Sequence, residues 1–491
     1  MFMQVKANQN QLPISIRRMV NSPGITVGLC LFAALCSLLS SLCLALLFLS
    51  LSYIFIAFYI ERRHIETFPV PPLVIFSQAT FISAGLGCTL AADNSSSQLY
   101  DSLLITQAVF ILSFPVFIVI YWLVNRRNRP IDVVTYIADA GNERQLRFAA
   151  TILVVFTFLH HAILIYMGVD DRGHAGDFQV ETPFGIWSYF EAFSKLRYIA
   201  YLLIPFLYKT SGKTVRMSLI AFLSIYILLQ FANSSRGAVV FPLFYVGIGC
   251  WMIGGNRKLV IGIFVTLVVI VFLITPILGE FRGNSDFANT RLIDVGQRLK
   301  VFRDTVKLHH GSVNEGGQRS DRQVTGLALL GCSDALVYEN TPEMVPFAGW
   351  DGMEAILYVW VPKMFYRDKP SLLDGNEITV QYTGTKFDRS AITPSIQADL
   401  YRRFGWTGVL IGYPFYALAA SLLVRYGFNS FHKHSNKSLY GLLVLFFIET
   451  FLHGIPFGTV LTMVWNFGYD YPKYSVVLGL IAFFARKRGY A

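Results

Sequence analysis

Arginine is the residue type whose placement in this chain points most directly to chemistry. Arg236 stands in Asn233-Ser234-Ser235-Arg236-Gly237, a short polar turn between two apolar runs. Arg282 stands in Gly279-Glu280-Phe281-Arg282-Gly283, where a later apolar run ends. A guanidinium presents a planar fork of donors that matches phosphate oxygens, and Gly237 lets backbone approach closely. If both turns face one side of a membrane, the pair makes a clamp for a diphosphate at the head of a lipid. The plainer alternatives are a turn whose arginine snorkels outward, and charges solvated at a helix end. Arg291 and Arg298 continue the basic side of the second segment as weaker candidates.

A second constellation runs from Val361 to Gly408 and contains VPKMFYRDKPSLLDGN, then ITPSIQADLYRRFGWTG. Lys363, Arg367 and Lys369 can bind anionic groups, while Tyr366, Tyr382 and Trp406 offer ring faces to sugars. Arg402 and Arg403 read either as substrate contacts or as interfacial anchors beside Trp406. Asp399, just before them, is the best-placed carboxylate for taking a proton from a hydroxyl.

Ionisable residues also fall inside apolar runs, where they are costly in lipid and often functional. Glu191 and Lys195 are four apart and can pair on one helix face, with Arg197 close by. Glu449 and His453 share that spacing, and Gly454-Ile455-Pro456 follows to break the helix. A histidine in such a setting is more often packed or hydrogen-bonded than catalytic. No metal site and no cofactor are expected. His160–His161 and His309–His310 are adjacent pairs that point in different directions, and no HExxH, Walker loop, dinucleotide fingerprint or CxxC occurs. Five of the six cysteines lie in apolar runs. Only Cys332 falls in a polar region, so no disulfide framework is available there.

The elements that position these residues are set by composition. The 491 residues are 54% hydrophobic and only 14% charged, with a mean hydropathy of +0.50. A soluble protein carries about 25% charged residues, so too few remain here to coat a soluble surface. Residues 25–60, 102–124, 148–168, 216–253, 259–278 and 438–465 are almost free of charge. Such continuous, non-alternating runs are read as membrane helices, because backbone groups in lipid must be satisfied within the element.

The first run continues for about 36 residues, too long for a signal core. As one straight helix it would span about 54 Å, more than a bilayer of about 30 Å. Serines near its midpoint favour a tight helical hairpin over a single tilted helix. About twelve crossings then fit, and basic residues concentrate on one side of them. Roughly half of the 41 basic residues fall in cytoplasmic segments, against only Arg172, Arg236 and Lys473 in the short outer loops. Both termini are therefore placed in the cytoplasm. The net charge of +11 is largely this topological signal and implies no nucleic-acid partner.

The expected organisation is an all-α, polytopic membrane protein with about nine helices in residues 1–278, a large outer segment at 279–405, and about three helices in 406–491. The outer segment holds acids and bases in near balance, and short amphipathic helices are expected near 295–306, 323–338 and 351–361. A vestibule for charged, sugar-bearing substrates suits it, and so does a structural cap over the helices.

The order of these features resembles a known family. NSSRG, NRK and EFRG separated by apolar helices, a long outer segment, VPKMFYRDKPS and then TPSIQADLYRRFGWTGV before a further helix resemble the bacterial oligosaccharide repeat-unit polymerases. These are the O-antigen (Wzy-type) polymerases, related to the O-antigen ligases. The resemblance covers roughly residues 215–425, and its most specific part is the KPS stretch followed by TP…FGWTG.

The resemblance implies a GT-C-like bundle in the bacterial inner membrane, with the outer segment periplasmic. Its substrates would be undecaprenyl-diphosphate-linked oligosaccharides, joined en bloc into polysaccharide, with flippase and chain-length regulator proteins as further partners beside membrane lipids. Arg236 would fall on the arginine of the family's SRG-like turn and Arg282 on the arginine following the next helix, placed to stabilise the diphosphate leaving group. Asp399, Glu449 and His453 are the ordered candidates for activating the acceptor. Some relatives carry an arginine-containing segment where this chain has Glu449 to His453. A flippase of the same lipid is a rival reading, although no internal repeat with paired broken helices is present. A membrane-bound acyltransferase is another, resting on His453 alone.

Overall fold

A run that is apolar on every side has no reason to prefer one face, and the helices Leu42–Glu61 and Ser97–Asn125 are built this way. In the computed structural model the residues that can be described are 23–38, 42–61, 72–81, 88–89, 97–129, 131, 133–167, 193–233, 236–252, 257–270, 334–358, 361, 394–432, 439–452 and 459–489, with short helical pieces near 300 and 380. Of these, 90% are helical and none lies in a strand. Among the described residues, five helices are long and apolar enough to cross a membrane: Leu42–Glu61, Tyr100–Asn125, Ala140–Leu164, Lys213–Ala232 and Ile396–His432. Their outward faces carry exposed large apolar side chains such as Leu112, Val119, Leu410 and Phe415, a surface that suits lipid and not water. The chain is an all-helical membrane protein.

Two compact units divide the chain. The first comprises residues Met1–Val133, Leu327–Asn429 and Phe451–Pro472, and the second Val134–Gly326, Ser430–Thr450 and Lys473–Ala491.

In the first unit, α1 (Pro23–Leu38) and α2 (Leu42–Glu61) divide the long N-terminal apolar run and pack against each other, with Phe32 edge-on to Phe48 at 4.6 Å. Next come α3 (Pro72–Thr80) and α4 (Ser97–Asn125), both packed on α2. Glu61, buried at the end of α2, accepts from the Leu73 amide at 2.9 Å and from the Tyr121 hydroxyl. A helix begins with amides that lack intrahelical partners, and Glu61 supplies one to the first turn of α3. Rings of Phe76, Phe117 and Tyr416 meet in the core, Phe76 to Phe117 at 4.2 Å. The Asn125 amide donates to the Ser421 carbonyl at 3.2 Å and ties α4 to the later part of the unit.

The second unit contains α5 (Val133–Ala138), α6 (Ala140–Met167), α7 (Leu196–Thr210), α8 (Lys213–Ala232), α9 (Arg236–Met252) and α10 (Arg257–Val269). Helix α7 is largely buried from Leu196 to Leu207 and packs on α6 and α9. It approaches α9 so closely that a Cβ at Gly249 would lie 2.1 Å from the Leu202 carbonyl oxygen. Helix α12 (Leu439–Leu452) is held by the Tyr245 hydroxyl, which donates to the Thr450 carbonyl at 3.1 Å.

Three elements complete the description: α11 (Ile396–His432), α13 (Val460–Trp465) with a π-helical turn at Asn466–Asp470, and α14 (Tyr471–Gly489). The 37-residue α11 is two helices in fact. Gly405 has φ +63° and ψ −156°, outside the helical region, and separates residues 396–404 from 406–432. The second piece is about 40 Å long at 1.5 Å per residue, enough to span a bilayer.

The amphipathic segments expected in the outer region appear in part. Residues near 300 and residues 334–340 are helical where described. Met353–Tyr358 forms a 3-10 helix in place of the expected longer helix at 351–361. A segment this short cannot repay α-helix nucleation, and tighter 3-10 turns are common at that length.

Candidate arginine site at the helix break

Ser395 begins the site. Its hydroxyl accepts from the Ala398 amide at 3.2 Å and caps the first turn of α11, as serine does at many helix starts. The Ser395 amide in turn donates to Asp334 Oδ1 at 2.8 Å, so a carboxyl from residues 334–340 sits at the positive end of the helix.

Asp399, Arg402 and Arg403 then fall at i, i+3 and i+4, which brings them to one helix face. Arg402 meets Asp399 Oδ1 through Nε at 2.9 Å and Nη2 at 2.7 Å. Arg403 Nε meets Oδ2 at 3.3 Å, and the Val460 amide at the start of α13 donates to the same oxygen at 2.8 Å. Asp399 is 0% exposed, Arg402 5% and Arg403 2%. Two guanidiniums to one carboxylate leave this buried triad with a formal charge of +1.

The break at Gly405 is part of the same device. In a continuous helix the carbonyls of Arg402 and Arg403 would accept from amides four residues on. Here they accept from Ala348 and Gly349, each at 3.0 Å. Arg403 Nη1 closes the arrangement by donating to the Asp351 carbonyl at 2.7 Å and the Gly349 carbonyl at 3.3 Å. Two more glycines let the chain fold back. A Cβ at Gly408 would lie 2.5 Å from the Leu400 carbonyl oxygen, and one at Gly412 would lie 2.5 Å from the Leu400 side chain.

An aromatic wall stands beside the triad. Tyr338 stacks on Trp406 with centroids 5.8 Å apart and planes at 7°, and Tyr401 meets Trp406 at 4.7 Å. Trp406 remains exposed and can offer a ring to a sugar. Tyr382 is buried, its hydroxyl bonded to Thr341 Oγ1 at 2.7 Å. Burial pushes the Asp334 carboxyl up to about 6; the bonds from Ser395 oppose that rise and the neighbouring Asp399 adds to it. Burial also raises the Tyr338 hydroxyl well above its ordinary range, with Asp334 and Tyr401 contributing.

Of the residues singled out in the sequence, the structure thus brings Asp399, Arg402 and Arg403 together. Both oxygens of Asp399 already accept hydrogen bonds, two each, so the group serves to orient the arginines. Glu449 is buried in α12, and Arg236 is the first residue of α9, both in the second unit. Arg282, Arg291, Lys369 and His453 lie outside the described residues, as do Lys363, Tyr366, Arg367 and Glu191. Arg298 is fully buried in the second unit, where its Nη1 donates at 3.4 Å to Asn233, the first residue of the NSSRG turn. Asp334 carried no local signal in the sequence, because its partners Ser395 and Asp399 are some sixty residues away.

Comparison with protein-family models, with curated proteins and with solved structures finds no match for the chain.

Proposed function

We propose that the chain is a membrane glycosyltransferase that polymerises lipid-linked oligosaccharide repeat units. In this reading it acts at the outer face of the bacterial inner membrane, with about twelve crossings, cytoplasmic termini and a periplasmic segment at 279–405. The observation that carries the reading is the buried, net-cationic Asp399–Arg402–Arg403 triad. It lies within TPSIQADLYRRFGWTG, the most specific stretch of the resemblance to the repeat-unit polymerases.

The chemistry suits a cationic site. The bond between the anomeric carbon of the donor glycan and its diphosphate oxygen breaks. The hydroxyl oxygen of the acceptor repeat unit bonds to that carbon, and its proton passes to a base. Undecaprenyl diphosphate leaves with the electron pair. Its developing negative charge is what fixed guanidiniums stabilise. Arg402 and Arg403 supply such donors in this reading, and the motif order adds Arg236, Arg282, Arg291 and Lys369 as substrate contacts. Asp399 holds the arginine pair in place, so acceptance of the proton falls to Glu449 or His453.

The test is incubation of the purified protein in lipid with a labelled repeat unit on undecaprenyl diphosphate, followed by gel separation. Wild type yields a ladder of longer glycans. Arg402→Ala and Arg403→Ala lower the rate by roughly 100-fold or more, the loss typical of removing a charge-stabilising donor. The Lys variants at both positions, checked for unchanged helicity and elution, recover part of it. Full polymerisation in both Ala variants contradicts the assignment.

A further inference from the structure

The loop between residues 341 and 358 hangs from the arginine site and is built unlike a soluble loop. Gly349 and Gly352 have φ of +51° and +72°, a left-handed backbone that favours glycine, and they bracket a tight turn at Trp350 and Asp351. The turn is closed by the Asp351 amide on the Ala348 carbonyl and the Met353 amide on the Trp350 carbonyl, both at 2.9 Å. Met353 packs inward on Leu461. Four other large apolar side chains are exposed: Met344 81%, Leu357 77%, Trp350 73% and Phe347 45%, the last two also resting edge-on against Phe404 and Tyr401. So many exposed apolar residues on one short loop mark a surface that something covers.

Continuity identifies the covering. Arg403 and the Arg402 and Arg403 carbonyls fasten the loop to the break in α11, and Trp350 lies edge-on to Phe404 at 5.1 Å. Just past the break the apolar face of α11 begins, with Leu410, Ile411 and Phe415 all exposed. The loop therefore extends the lipid-facing surface of a membrane helix at its end, the depth at which tryptophan favours the boundary between headgroups and acyl chains. Charge gives the driving force. Residues 339–358 contain Glu339, Glu343, Asp351 and Glu354 and no Lys or Arg, so attraction to anionic headgroups is excluded and apolar burial remains.

We infer that the 341–358 loop is a membrane foot: Met344, Phe347, Trp350 and Leu357 lie in the lipid boundary beside α11, with the acidic side chains in the headgroup layer. This goes beyond the proposed activity and does not depend on it. It places the lipid surface directly against the turn that carries Arg402 and Arg403.

The experiment uses the full chain in phosphatidylcholine nanodiscs, with brominated acyl chains as the quencher from the lipid side and iodide as the quencher from water. Trp350→Phe and Met344→Trp change exposed positions and leave the core intact. The expected result is that Trp350→Phe removes emission that brominated lipid quenches and iodide does not. Met344→Trp adds emission of that same kind, blue-shifted from the value in water. If the changes appear in the iodide-quenched fraction, the loop is in water and the inference fails. If neither quencher reaches either position, protein covers the loop, and the inference fails equally.

Discussion

At the scale of single residues, the account turns on which carboxyl does what. Asp399 receives two guanidiniums and a backbone amide, so its removal strands two buried cations. Breaking a buried ion pair in this way costs about 3–5 kcal/mol. Asp399→Ala should therefore lower the unfolding midpoint in detergent sharply, whereas Glu343→Ala, at an exposed site, should not move it. Asp334 is the opposite case, a carboxyl whose charged form is disfavoured. Its folded value of about 6 lies above the ordinary 3.8. The folded state thus holds a proton that the unfolded chain releases. The stability this gives is full below pH 4 and is lost as pH rises through about 6. The difference is worth roughly 3 kcal/mol. Asp334→Asn keeps the acceptor for the Ser395 amide and removes the charge. Denaturation between pH 4 and 7 should show that part of the slope in wild type and its absence in the variant. Sequence reading found Asp399 beside the arginine pair, since they are neighbours in the chain. It did not find Asp334, because a partner supplied across sixty residues leaves no local pattern.

At the scale of elements, the decisive feature is the break in α11. From composition, TPSIQADLYRRFGWTG reads as the point where the chain returns to the membrane. That the chain folds back on itself there depends on three glycines whose roles are tertiary. Gly405 supplies a positive φ, and Gly408 and Gly412 give Leu400 room. Gly408→Val should be worse than Gly405→Ala. The first drives a side chain into a backbone oxygen with no room to yield, while the second puts Ala in a backbone region almost confined to glycine, a cost of about 1–3 kcal/mol, against a loose Phe347 contact. Thermal unfolding of the two variants, ranked in that order, checks this. The same limit explains the 351–361 segment, where an apolar stretch was legible and its 3-10 form was not. Periodicity reports burial and is silent on hydrogen-bond pattern in so short a piece.

At the scale of the whole molecule, membrane character was legible in the low charge content and the long apolar runs, because lipid tolerates apolar helices and little else. The five long apolar helices follow from that constraint alone. What the helices enclose follows from no such rule. The proposed transfer reaction rests on a cationic triad set where a membrane helix begins, together with a motif order that resembles the repeat-unit polymerases. Its direct consequence is stoichiometric: each new glycosidic bond must release one undecaprenyl diphosphate. The decisive measurement follows free undecaprenyl diphosphate by mass spectrometry while purified protein in lipid acts on a single lipid-linked repeat unit. The account predicts release in step with glycan lengthening, both lowered together by roughly 100-fold or more in Arg403→Ala. Movement of the intact lipid-linked unit across the bilayer, with no diphosphate released and no longer glycan formed, would contradict it.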